Sequence, residues 1–214
     1  MIYLLGSIAC SLGIATVFKA NEERDGDRSV LLAANYVVAG VVGVLVWTLG
    51  WGGPSPGFDL EAYPAGLMGL IALTGGLFIG TYYVLAWATR EAGMGLATGV
   101  MRVSVVLPVL ASWIVWEEVP TAAQGLALVL AAVAFFYISD RGTRGARGLF
   151  GGGSGAELTT FGVLFLLFLA GGVVDTCIKA FDEQFAASHS DVVFLTAVYL
   201  VAAVIGCAVV LGRW

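Results

Sequence analysis

Few residues of this chain can do chemistry, and most of those stand inside long apolar runs. Arg102 follows Gly95, Thr98 and Gly99 at helical spacing, so on a helix it shares a face with small residues that pack inward. It lies about 13 Å into its run by helical rise, where a cation costs roughly 2.5–3.5 kcal/mol on membrane-insertion scales. Two readings stand: a contact for an anion or carboxylate in a central cavity, or a structural pair with a carboxylate or carbonyls of a neighbouring helix. Asp175 and Lys179 are four apart, acid first, the favourable order for an intrahelical pair. Gly171 and Gly172 lie one turn before Asp175. Such a pair can gate a substrate or carry a proton; it can equally be satisfied locally, with Lys179 snorkelling to the end of its helix. Asn35 with Tyr36, and Tyr82 with Tyr83 and Trp87, offer amide and aromatic surface suited to an amphipathic metabolite. Tyrosine and tryptophan near helix ends are also interface anchors, the reading for Trp47, Trp51, Trp113 and Trp116.

No enzymatic chemistry assembles from the rest. Cys10, Cys177 and Cys207 are dispersed within apolar runs, an odd set that suits neither a disulfide framework nor metal-ligand spacing. They read as small core residues. Gly153-Ser154-Gly155 has the outline of a serine-hydrolase turn, but it sits in a glycine-rich linker, and the single histidine, His189, lies in another loop. The same glycines lack the Lys-Ser/Thr of a phosphate loop. Glu117 and Glu118 would need histidines within the membrane to act as intramembrane-protease carboxylates, and the last run has no lysine for a retinal Schiff base. The expectation is a non-enzyme with no metal site and no cofactor.

The elements that must position these residues follow from composition. Apolar residues make up 59% of the 214 residues and charged residues 12%, with a mean hydropathy of +0.95. Soluble domains average roughly 45–50% apolar and about 25% charged, so polar surface is too scarce to coat a globule in water, and an integral membrane protein is predicted. The net charge of −5 and the scattered basic residues exclude a nucleic-acid surface. The apolar runs are continuous rather than alternating, which excludes a transmembrane barrel. At about 20 residues per span, seven helices are predicted, at roughly 2–19, 29–50, 64–88, 94–116, 121–139, 157–180 and 191–212. The first run has no basic flank or A-x-A site of a signal peptide, so the chain is expected to start inside its first helix. Gly76–Gly80 and Gly95–Gly99 have GxxxG spacing.

The chain also repeats itself. Thr16-Val-Phe-Lys19-Ala20-Asn-Glu-Glu23 recurs as Thr176-Cys-Ile-Lys179-Ala180-Phe-Asp-Glu183, and VLLAANYVVAGVVGVLV (30–46) aligns with VFLTAVYLVAAVIGCAV (193–209). The first run then corresponds to the sixth and the second to the seventh. The members of each pair are offset by five spans, an odd number, so the two copies cross the bilayer in opposite senses, the construction of many secondary transporters with a midplane site. The division expected is 1–140 as a first five-helix repeat, 141–156 as a Gly/Arg linker, and 157–214 as the first two helices of a second repeat. A complete second repeat would need about three more helices, on the order of 90 residues.

The stretch MRVSVVLPVLASWIVWEEVPTAAQGLALVLAAVAFF (101–136) resembles the fourth and fifth helices of the EamA-like permeases of the drug/metabolite transporter superfamily. The features that carry the likeness are Pro108, the turn Glu117-Glu118-Val119-Pro120, and Gln124-Gly125, supported by Phe18-Lys19, Asn35-Tyr36, Tyr83-Val-Leu-Ala86 and 171–179. The resemblance implies an all-α, inverted 5+5 transporter fold, here truncated in the second repeat. It implies a multi-pass permease of a bacterial or archaeal plasma membrane, moving a small organic solute by alternating access. Arg102, Asp175, Lys179, Asn35, Tyr82 and Tyr83 are the candidate cavity residues. Partners would be the lipid bilayer and the solute, and self-association into a homo-oligomer is compatible with the reading. The alternative, motivated by the short second repeat, is a non-transporting membrane protein, either an assembly partner or a truncated remnant of such a permease. The basic residues Lys19, Arg24, Arg28, Arg90, Arg141, Arg144 and Arg147 place the amino terminus outside by the positive-inside rule. The family likeness implies the opposite orientation.

Overall fold

The computed structural model describes residues 27–50, 63–119, 121–131 and 154–212, with positions 13, 133 and 137 besides. The first predicted helix, with Lys19 and the first copy of the Thr16–Glu23 repeat, lies outside the described residues. So do residues 51–62, the far end of the fifth run and most of the 141–156 linker. Among the described residues there are helices and no strands. They are α1 (Arg28–Thr48), α2 (Ala65–Ala92), α3 (Met94–Val103), α4 (Val106–Val115), α5 (Ala122–Ala131), α6 (Ser154–Gln184) and α7 (Asp191–Leu211). Among the described residues, five spans are long and apolar enough to cross a membrane, with α3 and α4 forming one of them. By that length and composition the chain is a multi-pass integral membrane protein.

Packing groups the chain into two compact units, one of Met1–Phe58 with Ser190–Trp214 and one of Asp59–His189. In the first, α1 opens on Asp27, whose carboxylate accepts a hydrogen bond from Ser29 N–H at 2.7 Å, satisfying one of the unpaired donors of the first turn. In α7, Asp191 sits in the first turn, where the helix dipole favours negative charge. The two helices pack on each other through glycine. A Cβ at Gly40 would lie 2.9 Å from Leu200 Cδ2, and one at Gly43 would lie 3.0 Å from Thr196 Cβ. One turn up α1 thus matches one turn down α7, an antiparallel pairing. Tyr36 stacks on Tyr199, with ring centroids 6.4 Å apart. The outer faces carry exposed Val37, Val38, Val41, Val42, Leu45 and Val204, a surface suited to lipid and not to water.

In the second unit α2 and α6 run antiparallel, and the register is regular. Gly66 meets Phe185 at 3.8 Å, Thr74 neighbours Cys177, and Ala88 shares a core cluster with Val163 and Leu164. Each step up α2 is an equal step down α6. Gly93 turns the chain from α2 into α3 at φ +85°, a conformation that favours glycine, and brings Ala97 and Val100 into the same cluster.

The predicted 94–116 helix is interrupted at its centre. Pro108 has no N–H to give to Ser104 O, and Leu107 N–H takes that carbonyl instead at 2.9 Å. The result is a two-residue break at Ser104–Val105 between helices of ten residues each. The break seats against α6 where α6 has no side chains: a Cβ at Gly171 would lie 2.8 Å from Ser104 Oγ, and one at Gly172 would lie 2.6 Å from Leu107 Cβ. Of the GxxxG glycines, Gly76, Gly80 and Gly95 are not used this way, since a Cβ at any of them meets nothing within 4 Å among the described residues.

Candidate functional site

The second unit holds a cavity of about 450 Å³ at the end of α4, lined by Pro108, Val109 and Val119 on its apolar side and by Ser112, Glu118, Gln124 and Lys179 on its polar side. Three local devices build it. Glu117 adopts φ +56°, uncommon outside glycine. That turn returns the chain so that Glu118 N–H reaches Ser112 O at 3.3 Å. Thr121 and Gln124 then form a capping box at the start of α5: Thr121 N–H donates to Gln124 Oε1 at 2.8 Å, and Gln124 N–H to Thr121 Oγ1 at 3.4 Å. The Lys179 ammonium closes the group, 3.2 Å from Glu118 Oε2 and also paired with Glu183.

Lys179 therefore does not pair with Asp175, its acid-first neighbour in sequence. It turns toward the end of α6, where Glu183 at i+4 and Glu118 receive it. A long cationic side chain gains more from hydrated carboxylates at a helix end than from one placed deeper in the apolar stretch. Asp175 is half-buried, and the charge acting on it is that of Arg102. Arg102 is within electrostatic reach of Asp175, a relation that sequence spacing alone left unconnected.

The remaining candidates are placed separately. Tyr82 and Tyr83 are half-buried on α2, their rings edge-on with centroids 6.3 Å apart. Asn35 is half-buried on α1 and belongs to the first unit. Glu118, Ser112 and Gln124 are the lining residues that spacing did not single out. The signal for Gln124 was present in Thr121-x-x-Gln124, a helix-start pattern. Glu118 carried none, because its partner lies 61 positions away.

The Lys179 side chain is 28% exposed and that of Glu118 50%, so their pair is a rim contact worth under about 1 kcal/mol. Glu118→Gln is accordingly expected to leave thermal unfolding in detergent nearly unchanged. A loss of several degrees would mean that the ion pair carries the fold of this end of the unit. No family model matches this sequence, and comparison with curated proteins and with solved structures gives no match.

Proposed function

We propose that the chain is a multi-spanning permease of the EamA-like drug/metabolite type, moving a small organic solute across a bacterial or archaeal plasma membrane by alternating access. The observation that carries this reading is the packing of α1 on α7. These are the two best-matching segments of the internal repeat, and they meet antiparallel with Tyr36 stacked on Tyr199, positions that correspond in the alignment of 30–46 with 193–209. Equivalent residues touching across an antiparallel pair are what a local two-fold axis in the membrane plane produces, and such an axis gives two packings of similar energy, one open to each side. Arg102 and Asp175, inside two other spans, supply the polar groups that transporters keep at that depth. Within the second unit, solute recognition is assigned to these two with Lys179, Tyr82 and Tyr83.

The test uses single cysteines in sealed proteoliposomes, with the native cysteines replaced and a membrane-impermeant maleimide added from either side. Thr48→Cys and Leu211→Cys, at corresponding ends of α1 and α7, are expected to label from opposite sides. Asp175→Cys is expected to label from both sides as the protein exchanges between its two states. Labelling of Thr48→Cys and Leu211→Cys from one side would overturn the inverted repeat. Labelling of Asp175→Cys from one side only would overturn alternating access.

A further inference from the structure

The second unit is built in layers, and one of them is polar. Ala88, Ala97 and Leu164 share the apolar cluster between α2, α3 and α6. Seven residues further along each helix in the same direction stand Thr81, Ser104 and Gly171, about 10.5 Å along the axis by helical rise. The geometry agrees: Ser104 Oγ lies against the Cβ direction of Gly171, and the α2–α6 register places Thr81 opposite Ala170 and Gly171. Thr81 and Ser104 are 5% and 1% exposed. Ser104 Oγ donates to Met101 O at 2.6 Å and keeps its lone pairs for another partner. Thr81 Oγ1 is buried with no hydrogen-bond partner among the described residues, a condition that native structures resolve with a water or an ion.

We propose that this layer binds a sodium ion. The donors are all oxygens: the two hydroxyls, and backbone carbonyl at the break in the α3–α4 span, where Leu107 N–H has been drawn away from its uninterrupted-helix partner Val103 O to Ser104 O. Unwound carbonyls at mid-span are the usual ligands of alkali cations in membrane proteins. Asp175 stands one turn beyond Gly171, and helical side chains lean back toward the amino end, so its carboxylate approaches the layer and supplies the negative charge. One carboxylate suits a monovalent ion. Among the described residues no three His, Cys, Asp or Glu converge to hold a divalent one. Arg102 lies two residues before Ser104, on the opposite side of α3, and is exposed, so it is not a member of the layer, although its charge acts on Asp175.

Binding is read from stability and not from flux, so this inference fails or stands apart from the permease reading. Purified protein in detergent is unfolded by heat in sodium chloride or in choline chloride at equal ionic strength. Sodium is expected to raise the midpoint saturably. Thr81→Val, which keeps the shape, and Ser104→Ala are each expected to weaken that response by about tenfold or more, the equivalent of one lost charge-assisted contact. Thr89→Val, whose hydroxyl already donates to Leu85 O at 2.7 Å, keeps the full response. Identical wild-type midpoints in the two salts would sink the proposal. So would a Thr81→Val protein shifted equally in both: upward if the hydroxyl is simply unsatisfied, downward if it holds a water. If the variants do not fold, sodium-23 line broadening on the wild type decides: broadening relieved by excess lithium or potassium supports the site, and its absence overturns it.

Discussion

Gly172→Ala is expected to destabilise the second unit by about 1–3 kcal/mol, the usual penalty for overpacking a close contact. The added Cβ would stand 2.6 Å from Leu107 Cβ and 2.7 Å from Leu107 Cγ. A clash with a Cβ cannot be relieved by rotating a side-chain tip, so α4 must move off α6. Leu107→Ala in the same chain should recover a large part of the loss, because it removes the opposing atoms, and this rescue separates steric conflict from an effect on the helix itself. Neighbouring glycines calibrate the result. Gly171→Ala meets the Ser104 hydroxyl at 2.8 Å, a group able to rotate, and its loss should be smaller. Gly76→Ala meets nothing within 4 Å among the described residues and should gain roughly 0.5–1 kcal/mol from helix propensity. Thermal unfolding of the three variants side by side checks the order. If Gly172→Ala is as stable as Gly76→Ala, the close approach of the broken helix to α6 is wrong.

Arg102→Leu is expected to lose about 1 kcal/mol or less, since Arg102 is exposed and acts on Asp175 only through its charge, and Arg102→Leu with Asp175→Leu to recover part of that loss. Both residues lie inside spans, and Arg102 is the charge that acts on Asp175. Removing one charge leaves the half-buried Asp175 without the opposing field of Arg102, whereas removing both leaves no charge uncompensated. The coupling energy from the double-mutant cycle is the deciding quantity. A double variant whose loss equals the sum of the single losses would mean that Arg102 and Asp175 act independently, and Asp175 would need another counter-charge.

Hydropathy and composition alone determined that this chain belongs in a membrane and is helical, because the length of an apolar run and the absence of alternation are local properties that burial in lipid reads directly. Helix positions were legible to within a turn or so for α1, α2, α6 and α7; the break ahead of Pro108 was not read from the sequence, although its cause, a missing N–H, is local. The likeness of 30–46 to 193–209 was legible too, and so was the shortage of charge that makes Arg102 and Asp175 conspicuous. What only the tertiary structure decided is which residues meet. Lys179 had an acid at i−4 and another at i+4, and spacing ranked the first; the end of α6 and the turn at Glu117–Glu118 selected Glu183 and Glu118. Glycine abundance made every GxxxG look alike, yet Gly40, Gly43, Gly171 and Gly172 are the ones at close approach. The polar layer of Thr81, Ser104 and Gly171 has no sequence signature, because its members lie on three helices and become neighbours only through register. Local patterns report how a segment meets its solvent; contacts between segments depend on rotation and register, which no single segment encodes.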